Sequence, residues 1–374
     1  MDIDCVKMKD IKNCYIHIPF CNKICSYCDF CKIFYNENLV NKYLESLEKE
    51  INSIYKGEKL ETIYIGGGTP SSLNIKQLEK LFSIINKLNR NNNCSITIEG
   101  NFSNTTKEKL DLYKKNNVNR LSFGLESIDK NNLKLLDRST NIKNVKDVIN
   151  YSKKIGINDI NVDLIYAIPN EDIKILDKDL DFILSLNIEH ISTYSLIIED
   201  HTKLRINNIK NIDEDIDYEM YNHICKKLKQ NNYIHYEISN FAKEGYYSKH
   251  NLCYWNNKNY YGFGLGSSSY IGNKRITNTR SINNYLKGKY ISNIEELTKE
   301  EEIEYEIILN LRLKDGIDLE KFRKKYKIEL KDIYNYNNLV ENKLLKIDKN
   351  KLYIPEGKLY ISNEIIIKLL QNSK

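Results

Sequence analysis

Residues 14–30 read CYIHIPFCNKICSYCDF. The first five, Cys14 to Ile18, have the apolar and β-branched character of a strand. Directly behind them Cys21, Cys25 and Cys28 are spaced C-x3-C-x2-C within eight residues, a density that asks for a metal. A zinc site takes four ligands as paired hooks, usually with the second pair far along the chain, and no second hook follows. A ferredoxin-type run takes a fourth cysteine followed by proline. Cys31 is at hand, but no proline follows it and the first spacing differs. Three thiolates on one loop can each reach an iron of one cuboidal cluster, leaving one iron open to an exogenous ligand. The residues alone leave one alternative: an electron-transfer or structural cluster closed by Cys31.

The strand and its loop start a series. Short β-rich runs at 14–18, 62–65, 95–99, 120–124, 160–166 and 190–197 alternate with amphipathic stretches. Leu39, Tyr43, Leu47, Ile51 and Ile54 recur at helical spacing, as do Leu78, Leu81, Ile84, Ile85 and Leu88. Six β/α units predict a parallel sheet with right-handed crossovers. The fold class is α/β, a partial (β/α)6 TIM-like barrel, with no GxGxxG after the first strand to suggest a dinucleotide-binding sheet. Barrel sites lie where the strand C-termini converge, and chemistry-bearing residues recur there: Gly66–Thr69, Glu99, Gly124, Glu126, Asp163 and Tyr194. The ordinary alternative for such carboxylates is helix capping. Gly66, Gly67 and Gly68 carry no Cβ and their N–H groups are read as an anion-binding concavity, though not a P-loop, because GK[ST] is absent.

Domain borders are expected at 1–240 for the barrel, 241–290 for a connecting segment with HNLCYW and a Gly-rich return, and 291–374 for a smaller α+β domain. The last should hold a helix from about Leu297, another over Leu319–Tyr326 and a β-like pair, LLKID and KLYIP. A winged-helix reading of this domain is open, but DNA binding is not expected. The 374 residues carry 57 Lys and Arg against 51 Asp and Glu, a net +6 too small and scattered to imply a nucleic-acid or membrane partner. No run reaches the ~18 apolar residues of a membrane span. The acidic, polar start MDIDCVKMKDIKN is unlike a signal peptide, so a cytoplasmic protein with reduced thiols is expected.

The longer strings YIHIPFC (15–21), CDF (28–30), GGGTPS (66–71), RLSFG (120–124), DLIYAIP (163–169), ISTYSLIIE (191–199), YEISNFA (236–242) and HNLCYW (250–255) narrow the reading. Together they resemble the radical S-adenosylmethionine (SAM) enzymes, within them the oxygen-independent coproporphyrinogen III oxidase-like group, and within that the HemW-type heme chaperones. The resemblance implies a radical SAM barrel with a HemN-like C-terminal domain, and a 4Fe-4S cluster on Cys21, Cys25 and Cys28 whose unique iron takes SAM. It places Tyr15, Tyr27, Gly67, Gly68, Thr69, Glu99, Glu126, Arg138 and Asp163 around that cofactor, which one cluster electron cleaves to methionine and a 5′-deoxyadenosyl radical. A flavodoxin- or ferredoxin-type reductant protein is implied as partner.

The oxidase of this group carries a further Cys two residues after the triad; here that position is Phe30, as in the chaperones. In the chaperones HNxxYW is associated with heme, which makes His250 a candidate axial ligand and Tyr254 and Trp255 candidate porphyrin contacts, with an acceptor protein as the further partner. The plain alternative is a loop His beside a packed aromatic pair. The chain departs from the group where Glu126 replaces the usual Gln, where Arg138-Ser-Thr140 lacks a His, and where Ser267 and Ser268 replace Ala-His.

Overall fold

The computed structural model describes residues 11–372; most of the polar N-terminal stretch, with Cys5, lies outside them. Six strands run parallel, side by side in chain order: β1 (Asn13–Ile18), β2 (Leu60–Gly67), β3 (Arg90–Asn101), β4 (Arg120–Glu126), β5 (Asp159–Tyr166) and β6 (His190–Ser195). Their register sets Gly124 beside Asp163, and Asp163 beside Ser192. Helices α1 (Glu37–Ile54), α2 (Ile75–Ile85), α3 (Lys107–Lys115), α4 (Lys130–Leu135), α5 (Ile142–Lys154) and α6 (Ile173–Ser185) fill the crossovers. This is the partial TIM-like barrel that the alternating pattern predicts.

The helices begin where their sequences allow a cap. Asn36 accepts from the Leu39 N–H, and Asn74 with Gln77 forms a reciprocal capping box. Their apolar faces turn inward: Leu78, Leu81, Ile84 and Ile85 of α2 are buried, as are Val40, Leu44, Leu47 and Ile51 of α1. Each such side chain stabilises by ~1.5–3 kcal/mol on burial.

A seventh strand, β7 (Tyr261–Phe263), pairs parallel with the outer edge of β1, Cys14 opposite Tyr261. The Gly262–Gly266 pattern reads as a flexible return, because glycine scores poorly as strand. The glycines serve close approach instead: a Cβ on Gly262 would stand 1.9 Å from the Ser268 carbonyl oxygen. β7 thereby covers an edge of the sheet that would otherwise expose unpaired backbone. The compact units follow this return rather than borders at 240 and 290. One comprises residues up to 224 together with 259–295, the other 225–258 together with 296–374.

Glu50 of α1 fixes the returning segment. Fully buried, it accepts from the Gly264 N–H at 2.8 Å and the Tyr285 hydroxyl at 2.5 Å through Oε2, and from Asn278 Nδ2 at 2.5 Å through Oε1. Burial pushes its carboxyl up to about 7, against the pull of these three donors. Beside it the Tyr43 hydroxyl donates to the His17 carbonyl at 2.6 Å and accepts from the Leu265 N–H at 3.1 Å.

The second unit holds a three-stranded sheet in which 351–353 pairs antiparallel with 346–348 and with 317–318. Helices Lys299–Asn310 and Leu319–Tyr326 contribute Ile307 and Phe322 to its core, with Leu352, Leu359 and Leu369. The expected helices and β pair are present. HNLCYW lies within a helix of its own, α7 (Lys249–Trp255).

Truncating Glu50 leaves several buried donors without an acceptor. Glu50→Ala should therefore cost about 2–4 kcal/mol in urea unfolding. A loss below about 0.5 kcal/mol, the range of surface substitutions, would show that the return segment is held otherwise.

Candidate cofactor site

The cysteine loop leaves β1 and re-enters at α1. Strand alternation puts Tyr15 and His17 on one face of β1. The Tyr15 hydroxyl pairs with His17 Nδ1 at 2.9 Å, and His17 Nε2 with the Cys31 carbonyl at 2.7 Å. A carbonyl only accepts, so Nε2 carries the proton and Nδ1 accepts from Tyr15. Burial holds this imidazole below its ordinary pKa, in the neutral form. The loop closes on itself where the Ile33 N–H donates to Pro19 and the Tyr35 N–H to Cys21. Its middle is fastened by Ser26, whose N–H and hydroxyl donate to the Leu136 and Leu135 carbonyls at 3.2 and 2.6 Å.

Cys21 is buried and accepts from Thr69 Oγ1 at 3.6 Å; Cys25 is half-buried and accepts from Arg138 Nη1 at 3.7 Å. Burial pushes the Cys21 thiol up to about 11, with Cys28 and Cys25 near enough to raise it further, and pushes Cys28 up as well. Among the described residues no group of three or more His, Cys, Asp or Glu converges as a single ion requires. A cuboidal cluster spreads its thiolates over separate irons, so three neighbouring soft donors fit it better than they fit one zinc ion. Cys31 is turned elsewhere: a Cβ on Gly266, at φ 69°, would stand 2.9 Å from its Sγ.

The glycine loop differs from its sequence reading. The Gly67 N–H donates to Glu99 Oε2 at 2.9 Å, the Gly68 N–H to Ile18 at 2.8 Å and the Thr69 N–H to Phe20 at 2.9 Å. These donors are spent on the protein, so they form no concavity for an anion. What the glycines supply is room. Gly67 sits at φ 119°, and its Cβ would fall 2.6 Å from the His17 ring; on Gly68 it would fall 2.7 Å from the Pro19 carbonyl carbon and 3.0 Å from Cys21 Sγ. The β2 end thus packs directly against the cysteine loop.

Three carboxylates gather at the strand ends. Glu99 accepts from the Tyr64 hydroxyl at 2.7 Å, and burial raises its pKa. Glu126, at φ 62°, accepts from the Tyr27 hydroxyl at 2.9 Å and pairs with Arg138 Nη2 at 2.5 Å. Arg138 also donates to the Gly124 carbonyl at 2.7 Å. Burial opposes its charge, but Glu126, Tyr27 and Cys25 outweigh that and hold its pKa above the ordinary arginine value. Asp163 accepts from Asn161 Nδ2 at 2.7 Å; burial first, then the charges of Glu126 and Glu99, push it up to about 7. With one arginine among three carboxylates, the site has an excess of acceptors. That suits a ligand bearing an ammonium and a sulfonium, while the thiols beside it suit iron.

The structure thus brings Tyr15, Tyr27, Gly67, Gly68, Thr69, Glu99, Glu126, Arg138 and Asp163 to the strand C-termini around Cys21, Cys25 and Cys28. The radical SAM superfamily pattern matches residues 15–183, and the HemN C-terminal domain matches 297–356. The chain is similar to a protein named heme chaperone HemW from Lactococcus lactis, 37% identical over 95% of this chain and 96% of that one. A second protein of that name, from Bacillus subtilis, is 37% identical over 95% and 98%. The chain belongs to the HemW family of radical SAM proteins. Among solved structures, the coproporphyrinogen III oxidase HemN from Escherichia coli superposes with a TM-score of 0.86 at 20% identity, covering 97% of this chain and 91% of that one, a likeness of fold.

The HNLCYW motif is less open than an exposed loop. His250 is 2% exposed, its Nε2 pairs with the Tyr254 hydroxyl at 2.8 Å, and burial lowers its pKa to about 3. The Trp255 ring lies under the Arg312 guanidinium, 5.9 Å away, and its indole Nε1 is buried without a hydrogen-bond partner. His17, Ser26 and Tyr64 are structural members of the site that the sequence reading did not single out. For His17 a signal was present, since the period of two puts it beside Tyr15.

Asp163 titrates at about 7 here against an ordinary 3.8. Its contribution to stability is present below the unfolded value and lost as pH rises through about 7. The penalty above that is at most ~4 kcal/mol at ~1.4 kcal/mol per unit. Ligand-free Asp163→Asn should therefore lose less stability between pH 5 and 8 than wild type in urea titrations. Parallel pH profiles would refute this assignment.

Proposed function

We propose that this chain is a heme chaperone of the radical SAM type, holding a 4Fe-4S cluster, SAM and heme, and passing heme to an acceptor protein in the cytoplasm. The observation that carries the reading is likeness to HemW proteins over nearly the whole length of both chains. Cys21, Cys25 and Cys28 would hold the cluster, with its fourth iron left to SAM. Arg138 and the three carboxylates would orient the cofactor's charged groups, and Tyr15 and Tyr27 would wall it from water. When bound and reduced by a flavodoxin- or ferredoxin-type donor, the cluster supplies an electron for cleavage of SAM. Phe30, where the oxidase pattern carries a cysteine, is 69% exposed on this loop and supports the chaperone over the oxidase.

Heme would fall to His250, Tyr254 and Trp255. Burial keeps His250 neutral, which is the ligating form of imidazole. Iron at Nε2 would displace the Tyr254 hydroxyl. The orphaned Trp255 Nε1 is a donor that a porphyrin carboxylate would satisfy.

The test is anaerobic incubation of the cluster-reconstituted protein with SAM, a strong reductant and coproporphyrinogen III. We expect a SAM-dependent change in the EPR spectrum of the reduced cluster and no porphyrin product. Heme titration followed at the Soret band should show saturable binding that His250→Ala weakens about tenfold or more. Protoporphyrinogen formed over many turnovers would make the protein an oxidase. An EPR spectrum indifferent to SAM would favour a cluster without an open iron.

A further inference from the structure

Two fully satisfied carboxylates lie behind the site and belong to none of its contacts. Asp179 of α6 is 0% exposed; Oδ2 accepts from the Ser127 hydroxyl at 2.6 Å and Oδ1 from the Ile128 N–H at 2.7 Å. Glu171 is 4% exposed; Oε1 accepts from Asn132 Nδ2 at 3.1 Å and Oε2 from the Ile168 N–H at 3.1 Å. Both therefore grip the start of α4. Ser127 passes the grip on, accepting from the Asp129 N–H at 3.0 Å, and Asp129 caps α4 through the Asn131 and Asn132 N–H groups.

The other end of α4 meets the site. The Leu135 and Leu136 carbonyls receive both donors of Ser26, which sits between Cys25 and Tyr27. The Arg138 N–H donates to the Leu133 carbonyl at 2.8 Å. Glu126 immediately precedes Ser127 and holds a left-handed φ of 62°, a conformation that costs on the order of 1 kcal/mol unless its surroundings fix it. One six-residue helix thus ties the buried carboxylates at its start to the cysteine loop, Arg138 and Glu126.

Resting on the cofactor reading above, we propose that Glu171 and Asp179 are positioning residues: through α4 they set the cysteine loop, Glu126 and Arg138 in the geometry that receives the cluster and SAM. They touch neither. Burial raises Glu171 to about 8 and Asp179 to about 6. A glutamine keeps the size of Glu171 but only one of its two acceptor oxygens, so it should replace it only in part.

The experiment compares wild type with Glu171→Ala, Asp179→Ala, Glu171→Gln and Ser26→Ala, together with Leu110→Ala, a core truncation in α3 remote from the strut. Three quantities are read: Tm, the SAM dissociation constant of the reconstituted protein by equilibrium dialysis, and the rate of Cys25 alkylation in metal-free protein. Glu171→Ala and Asp179→Ala should weaken SAM about tenfold, the scale for groups that orient a ligand from behind. They should also speed Cys25 alkylation at least about threefold by loosening its loop. Glu171→Gln, which keeps one of the two acceptors, should fall between wild type and Glu171→Ala in both. Leu110→Ala should lower Tm without moving either.

Wild-type affinity and alkylation in both alanine variants would overturn the proposal, as would equal shifts in Leu110→Ala. If the alanine variants do not fold, Ser26→Ala decides: it removes one fastening at the far end of α4, and unchanged Cys25 alkylation there would overturn the strut. Wild type that binds no SAM would sink the cofactor reading instead, while the alkylation comparison still tests the strut.

Discussion

Arg138 is the charge on which the site depends. Removing a guanidinium from water costs several kcal/mol, repaid only when nearby acceptors are well placed. Here Glu126 Oε2, the Gly124 carbonyl and Cys25 Sγ all accept from it. It joins the end of β4 to the cysteine loop and holds Glu126 in its left-handed conformation. Tyr27 shares the same carboxylate from the loop side. Remove the cation, and three carboxylates face one another with no counter-charge among the site residues described.

The opposite wall is set by contact rather than charge. Gly67 and Gly68 bring the end of β2 so near β1 and the cysteine loop that any side chain would collide with His17, Pro19 or Cys21. Glu99 locks that approach by taking the Gly67 N–H. His17 then fixes the far end of the loop through the Cys31 carbonyl, and the Cys31 thiol lies beside Gly266. A half-buried cation on one side and a glycine contact on the other leave the loop little freedom except at its exposed Phe30 and Phe34.

Much of this was legible in the chain. The six parallel strands follow from alternation of β-rich and helical runs, and the strand-end carboxylates from the barrel rule. The cysteine spacing marked the loop. Glu50, Glu171 and Asp179 stayed hidden for a common reason: each sits among polar neighbours, and nothing local says that it turns inward. The partners of Glu50 lie more than two hundred residues away, at Gly264, Asn278 and Tyr285. The glycine loop misled for another reason: composition reveals that N–H groups can be approached, not that Glu99, Ile18 and Phe20 already occupy them.

The strand that covers β1 has a consequence for synthesis. As the chain emerges from the ribosome, β1 and the cysteine loop are made first, but β7 and the acceptors' donors at Gly264, Asn278 and Tyr285 come more than two hundred residues later. At ~5–20 residues per second this delay is on the order of ten seconds or more. Throughout it the outer edge of β1 has no strand, Glu50 has none of those donors, and Tyr43 lacks the Leu265 N–H. The covered edge of the barrel is therefore a late product of synthesis, and the thiols of the cysteine loop are made well before it is in place.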